Sequence, residues 1–98
     1  MSEQELISKA KNTLTKRAGT AWSGARWTDI FGIFDIIYWN PHEAPSPSYF
    51  QVSTKDHRWA RLQKIYKFAA DHEGKLPAPC YLMLWDYSRR DFEIERIA

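Results

Sequence analysis

Residues Phe31 to Trp39 read FGIFDIIYW, a run of apolar and aromatic side chains broken by one carboxylate, Asp35. Such a run, rich in Ile, Phe, Tyr and Trp, fits a strand covered on both faces better than a helix. A charge inside a buried strand is costly unless it is paired or binds something. Asp35 therefore demands a partner. Asn40-Pro41 stops the run, and His42 to Ser48 is a loop with two further prolines. The next apolar run, Tyr49 to Ser53, carries Gln51 and Ser53 two positions apart and so on one strand face. An acid on one strand and two polar side chains on the next are placed to line one site.

The rest of the chain frames those two strands. A helix is expected from Ser2 to about Arg17, with Ser2 and Glu5 forming a capping box. Leu6, Ile7, Ala10 and Leu14 mark its buried face. Thr20 to Arg26 suits a short edge strand, and the central strand is expected from Phe31 to Asn40. A second helix is expected from about Asp56 to His72, capped by Asp56 or Thr54. Its apolar stripe is Trp59, Leu62, Ile65, Tyr66 and Ala69, and Gly74 follows as a C′ glycine. Cys80 to Tyr87 and Phe92 to Ile97 read as strands joined by a turn at Ser88 to Asp91, an antiparallel hairpin. The order is helix, three strands, helix, two strands: one α/β domain over residues 1–98, a mixed sheet with helices packed on it. The strands of Tyr49 to Ser53 and Cys80 to Tyr87, joined through a helix, should be parallel.

A net charge of +2 permits nucleic-acid binding without requiring it. Fifteen Trp, Tyr and Phe rings are more than a small core hides, so some belong to a binding or subunit surface. The pairs Trp22/Trp27 and Trp39/Trp59 suit stacking on bases or sugars, or packing in the core or against a second copy. A single cysteine, Cys80, excludes an internal disulfide and suits a reducing compartment. With no membrane-length apolar run and a polar start, MSEQE, the expected location is the cytoplasm. His42, His57, His72 and Cys80 match no zinc spacing, and the four glycines form no phosphate loop. The carboxylates Glu5, Asp29 and Asp35 remain as ligands for a hard cation, Mg2+ or Mn2+. Glu5 also reads as a capping residue and Asp29 as a turn or cap residue.

The element order, with an acid on the second strand and a spaced polar pair on the third, resembles the PD-(D/E)XK nuclease superfamily, and within it small Holliday-junction resolvases. The resemblance covers roughly Glu3 to Trp85. FDII, Phe34 to Ile37, stands where the family carries its strand-borne aspartate, and Gln51-Val52-Ser53 stands where it has Glu-x-Lys. Glu5 matches a glutamate on the first helix, and SGAR, Ser23 to Arg26, a serine- and basic-rich stretch. The resemblance implies a restriction-endonuclease-like domain that binds DNA. Asp35 would be the principal metal ligand, with Glu5 or Asp29 as a second. Gln51, Ser53 and Lys55 would occupy the catalytic positions, Lys55 in place of the missing lysine. Lys9, Lys16, Arg17, Arg26, Arg58 and Arg61 are the phosphate contacts expected on this reading. Because Gln51 is no acid and Ser53 no lysine, metal-dependent cleavage should be weak or absent. The alternative is a non-catalytic interaction module that dimerises through exposed aromatics.

Overall fold

The first helix is started by a side chain: Ser2 holds extended backbone, and its Oγ accepts the Glu5 N–H at 3.2 Å. A computed structural model describes residues 1–17, 19–23 and 30–98. In it α1 spans Glu3–Thr15 and buries Leu6, Ala10 and Leu14. The sheet follows as β1 (Thr20–Ser23), β2 (Ile36–Trp39) and β3 (Ser48–Thr54). A 3-10 turn at Lys55–His57 leads into α2 (Arg58–Asp71), and β4 (Cys80–Asp86) and β5 (Asp91–Arg96) complete it.

The five strands lie in sequence order, β1-β2-β3-β4-β5. Every neighbouring pair is antiparallel except β3 and β4, which are parallel and joined through α2. This is the mixed α/β domain of order α-β-β-β-α-β-β that the sequence predicts.

Strand alternation splits the core between two faces. On one, α1 packs Leu6, Ala10 and Leu14 against Ile36, Tyr38, Phe50, Val52, Met83, Trp85 and Phe92. On the other, Leu62 and Ile65 of α2 meet Ile33, Phe34, Cys80, Leu82 and Leu84. β4 is buried along nearly its whole length, as a strand covered on both faces must be.

Three expectations need correction. The central strand begins at Ile36, not Phe31. Residues 30–34 instead form a turn in which Ile30 N donates to the Phe34 carbonyl at 2.6 Å and Phe34 N returns the bond at 2.9 Å. Phe31 and Gly32 both take positive φ, and glycine makes that turn accessible. Ile33 and Phe34 are still buried, which is why the stretch reads as a strand. The second helix has no side-chain cap from Asp56 or Thr54; the Thr54 hydroxyl pairs with His57 Nδ1 at 2.9 Å. Finally, Trp59 and Tyr66 are exposed, at 68% and 52%, rather than part of the buried stripe. Placed seven residues apart, they share a flank of α2 that borders Leu62 and is turned roughly 100° from Ile65.

Candidate functional site

Asp35 sits where β2 leaves the sheet. Its N–H donates to the Phe50 carbonyl at 2.8 Å, and Ile36, paired with Phe50, is the first residue of the ladder. Upstream the chain closes on itself through Ile30 and Phe34, so no β2 strand continues alongside Val52. The Asp35 carboxylate takes that place. Its Oδ2 accepts the Val52 N–H at 2.7 Å and stands in for a ladder carbonyl. The same oxygen lies 3.4 Å from Gln51 Nε2, a long hydrogen bond. Ser53, next on that face of β3, accepts from Arg61 Nε of α2 at 3.3 Å.

The structure therefore brings Asp35, Gln51, Ser53 and Arg61 into one seam between the sheet and α2. The seam is nearly dry: Asp35, Gln51 and Ser53 are 4%, 2% and 4% exposed. Gln51 Oε1 is buried and accepts no hydrogen bond from any described residue. That is unusual for a native interior, where an unpaired acceptor costs about 1–3 kcal/mol.

The other expected site residues lie elsewhere. Glu5 is exposed on α1, which packs on the opposite face of the sheet. Asp29 and Arg26 fall outside the described residues. Lys55 turns towards β4 and β5, with Nζ 3.1 Å from Glu93 and 3.4 Å from Asp86. The hydrogen bond to Glu93, then the charges of Glu93 and Asp86, raise its pKa above the usual lysine value. Arg58 grips Glu95 through two bonds of 2.8 and 2.6 Å. Arg17 pairs with Glu43 at 3.1 Å, Lys9 lies 5.3 Å from the centre of the Trp85 ring, and Lys16 is exposed.

The fit to a resident Mg2+ or Mn2+ can be judged from these donors. Among the described residues no three His, Cys, Asp or Glu side chains cluster as a metal group. The seam offers one carboxylate, with one oxygen already accepting two N–H groups, and one neutral amide oxygen. A hard divalent cation takes several oxygen ligands, commonly carboxylates. The described residues do not fit one.

The structure also brings forward a feature not legible as a unit in the sequence. Cross-strand pairing places Trp22 opposite Ile37, Ile37 opposite Tyr49, and Trp39 opposite Thr20. These side chains share the α2 face of the sheet, but α2 covers the β3–β4 half. Trp22 and Trp39 are left 50% and 40% exposed. Phe31, on the turn before β2, stands 5.7 Å from the Tyr49 ring and is exposed as well. Strand pairing assembles this patch; the sequence named its tryptophans only in the separate pairs Trp22/Trp27 and Trp39/Trp59, and Trp27 falls outside the described residues. No protein-family model, curated protein or solved structure matches the chain.

Proposed function

We propose that this chain binds DNA on the uncovered aromatic half of its sheet and does not itself sustain metal-dependent cleavage. The observation that carries the reading is the exposure of Trp22, Trp39 and Phe31 on one sheet face, beside a seam bounded by the Arg61 guanidinium. A ring on a strand is a rigid platform on which an unpaired base stacks, worth about 1–3 kcal/mol per base. Such stacking tolerates any sequence and favours single-stranded or branched DNA over intact duplex. The seam supports the second half of the proposal, because the one carboxylate that the described residues place there already accepts the Val52 N–H and is a poor anchor for an attacking water or its metal.

Anisotropy titrations with labelled single-stranded, branched and duplex DNA at about 50 and 200 mM salt test it. The expected order is single-stranded or branched tighter than duplex, with affinity falling steeply as salt rises. Replacing Trp22 and Trp39 together by Ala should weaken binding at least tenfold, and adding Mg2+ or Mn2+ should produce no cleavage. Failure to bind any of the three at the lower salt would sink the proposal.

The same patch supports a second reading. It borders β1, an edge strand of the sheet, and an edge beside exposed rings suits a second copy of the chain. Sedimentation velocity decides: a concentration-dependent dimer lost on Trp22→Ala would make the rings a subunit interface.

A further inference from the structure

The turn between β4 and β5, residues 87–90, is held more firmly than its composition requires. Asp86 Oδ1 accepts from Ser88 Oγ at 2.7 Å, from Ser88 N at 3.0 Å and from Arg89 N at 3.3 Å. Lys55 reaches its other oxygen at 3.4 Å. The Ser88 hydroxyl first, and then the two backbone N–H groups and Lys55, hold the carboxyl at about 2 despite its partial burial. Arg90 takes φ of 50°, which closes the turn and sets Asp91 opposite Asp86.

On this clamped turn stand two guanidinium groups without a counter-charge. Arg89 and Arg90 are exposed, and their guanidinium groups have no hydrogen-bond or ion-pair partner among the described residues. The carboxylates close to them in sequence are engaged: Asp86 by the turn and Lys55, Asp91 Oδ1 by Phe92 N at 2.8 Å, and Glu93 by Lys55. By contrast Arg17, Lys55, Arg58 and Lys75 each hold an acid. An aromatic lies alongside. Tyr87 is half exposed, edge-on to Trp85 at 6.4 Å, and Lys9 sits over the Trp85 ring.

We propose that Arg89 and Arg90 grip the phosphodiester backbone of the nucleic acid bound at the aromatic face, an assignment that rests on the DNA-binding reading. Strand directions and register set the distance to be spanned. β3 and β4 are parallel, so the turn leaves the sheet at the end where Ser53 lies; β2 runs the other way, so Asp35 enters at that same end. From β4 to β1 is three strand spacings, about 14 Å. Register puts Trp22 level with Cys80, the first residue of β4, so the turn also lies about 20 Å further along the strands, and at about 3.4 Å per nucleotide the backbone from Trp22 to the turn spans about seven nucleotides. Guanidinium groups suit this role because their planar donors match phosphate oxygens two at a time. A turn that is already ordered loses little freedom on binding.

The test is the salt dependence of binding to a labelled duplex and a labelled single strand. Each phosphate contact contributes about 0.9 to the slope of log affinity against log salt on duplex and about 0.7 on single strands. Arg89→Gln/Arg90→Gln should flatten the slope by about 1.8 and 1.4, and weaken duplex binding about 60-fold at 0.1 M salt. Arg89→Gln alone leaves the Arg90 backbone untouched and should take about half of that slope, which covers the case of a misfolded double variant. Lys67→Gln/Lys75→Gln removes the same charge from α2 and its C-terminal end, and should change the slope by less than half as much. Wild-type binding with an unchanged slope in both arginine variants overturns the assignment while leaving the DNA-binding reading intact. An equal loss in the lysine variant overturns it too, because bulk charge would then account for the effect. A wild-type chain that binds no DNA overturns the underlying reading instead.

Discussion

Removing the Asp35 carboxylate separates its role as a strut from any role in chemistry. In Asp35→Ala the buried Val52 N–H loses a 2.7 Å bond to a charged acceptor, and no β2 carbonyl stands ready to replace it. Hydrogen bonds to charged groups contribute about 1.5–3 kcal/mol, and a buried donor left unpaired costs a further share of its desolvation. The longer bond from Gln51 Nε2 is lost as well. A loss of about 3 kcal/mol is expected, a large part of the 5–15 kcal/mol typical of a domain. At about 4–8 °C per kcal/mol for a chain of this size, Tm should fall by roughly 12–24 °C. Asp35→Asn should be much milder. Its Oδ1 can still accept from Val52, and its new Nδ2 meets Gln51, whose amide can rotate to present the presently unpaired Oε1. About 1 kcal/mol, or 4–8 °C, is expected. Urea and thermal melts of the three proteins give the ranking, and hydrogen exchange at the Val52 amide reports the bond itself. An Asp35→Ala protein within about 0.5 kcal/mol of wild type would refute the strut. Equal losses for Ala and Asn would show that charge, not acceptor geometry, is what the site needs.

Two further outcomes follow from the same geometry. Gln51→Glu sets a second carboxylate about where Nε2 now lies, 3.4 Å from Asp35 Oδ2, so without metal it should lower Tm, and Mn2+ should recover part of the loss; a variant as stable as wild type in chelator would count against a dry seam. The folded-state pKa of Asp86 is depressed to about 2, so its contribution to stability is present above the ordinary carboxylate pKa and is lost as pH falls through about 2. Ser88→Ala removes the largest cause, so the Asp86 carboxyl should titrate at higher pH by NMR and acid unfolding should begin earlier; an unmoved titration would reject the clamp.

What the sequence made legible was whatever depends on local pattern. Ser2 and Glu5 announced α1, Gly74 marked the end of α2 one position beyond the expected C′ place, which Glu73 takes at φ 61°, and the helix between two apolar runs implied a parallel pair. The juxtaposition of Asp35 with Gln51 and Ser53 was also legible, because strand alternation and sequence proximity suffice to predict it. Three things were not. A buried turn and a buried strand have the same composition, so residues 31–35 gave no sign that the chain folds back before β2. Helical spacing places Trp59 and Tyr66 near the stripe without saying how wide the covered stripe is. The partners of Lys55 and Arg58 are Glu93 and Glu95, on a strand far along the chain, and no local pattern reveals which cations meet an acid.

The single parallel pair in the sheet has a consequence for how this chain reaches its fold. The hairpin of β4 and β5 closes over four residues, whereas β3 meets β4 only after the 25 residues between Thr54 and Cys80 have been brought round. Loop-closure entropy opposes that step before any contact rewards it. Until it happens, two apolar strands, Ser48–Thr54 and Cys80–Asp86, each present an unpaired edge to solvent. Refolding at high concentration therefore pits this intramolecular crossover against strand pairing between chains. Yield should depend on protein concentration far more than on final stability.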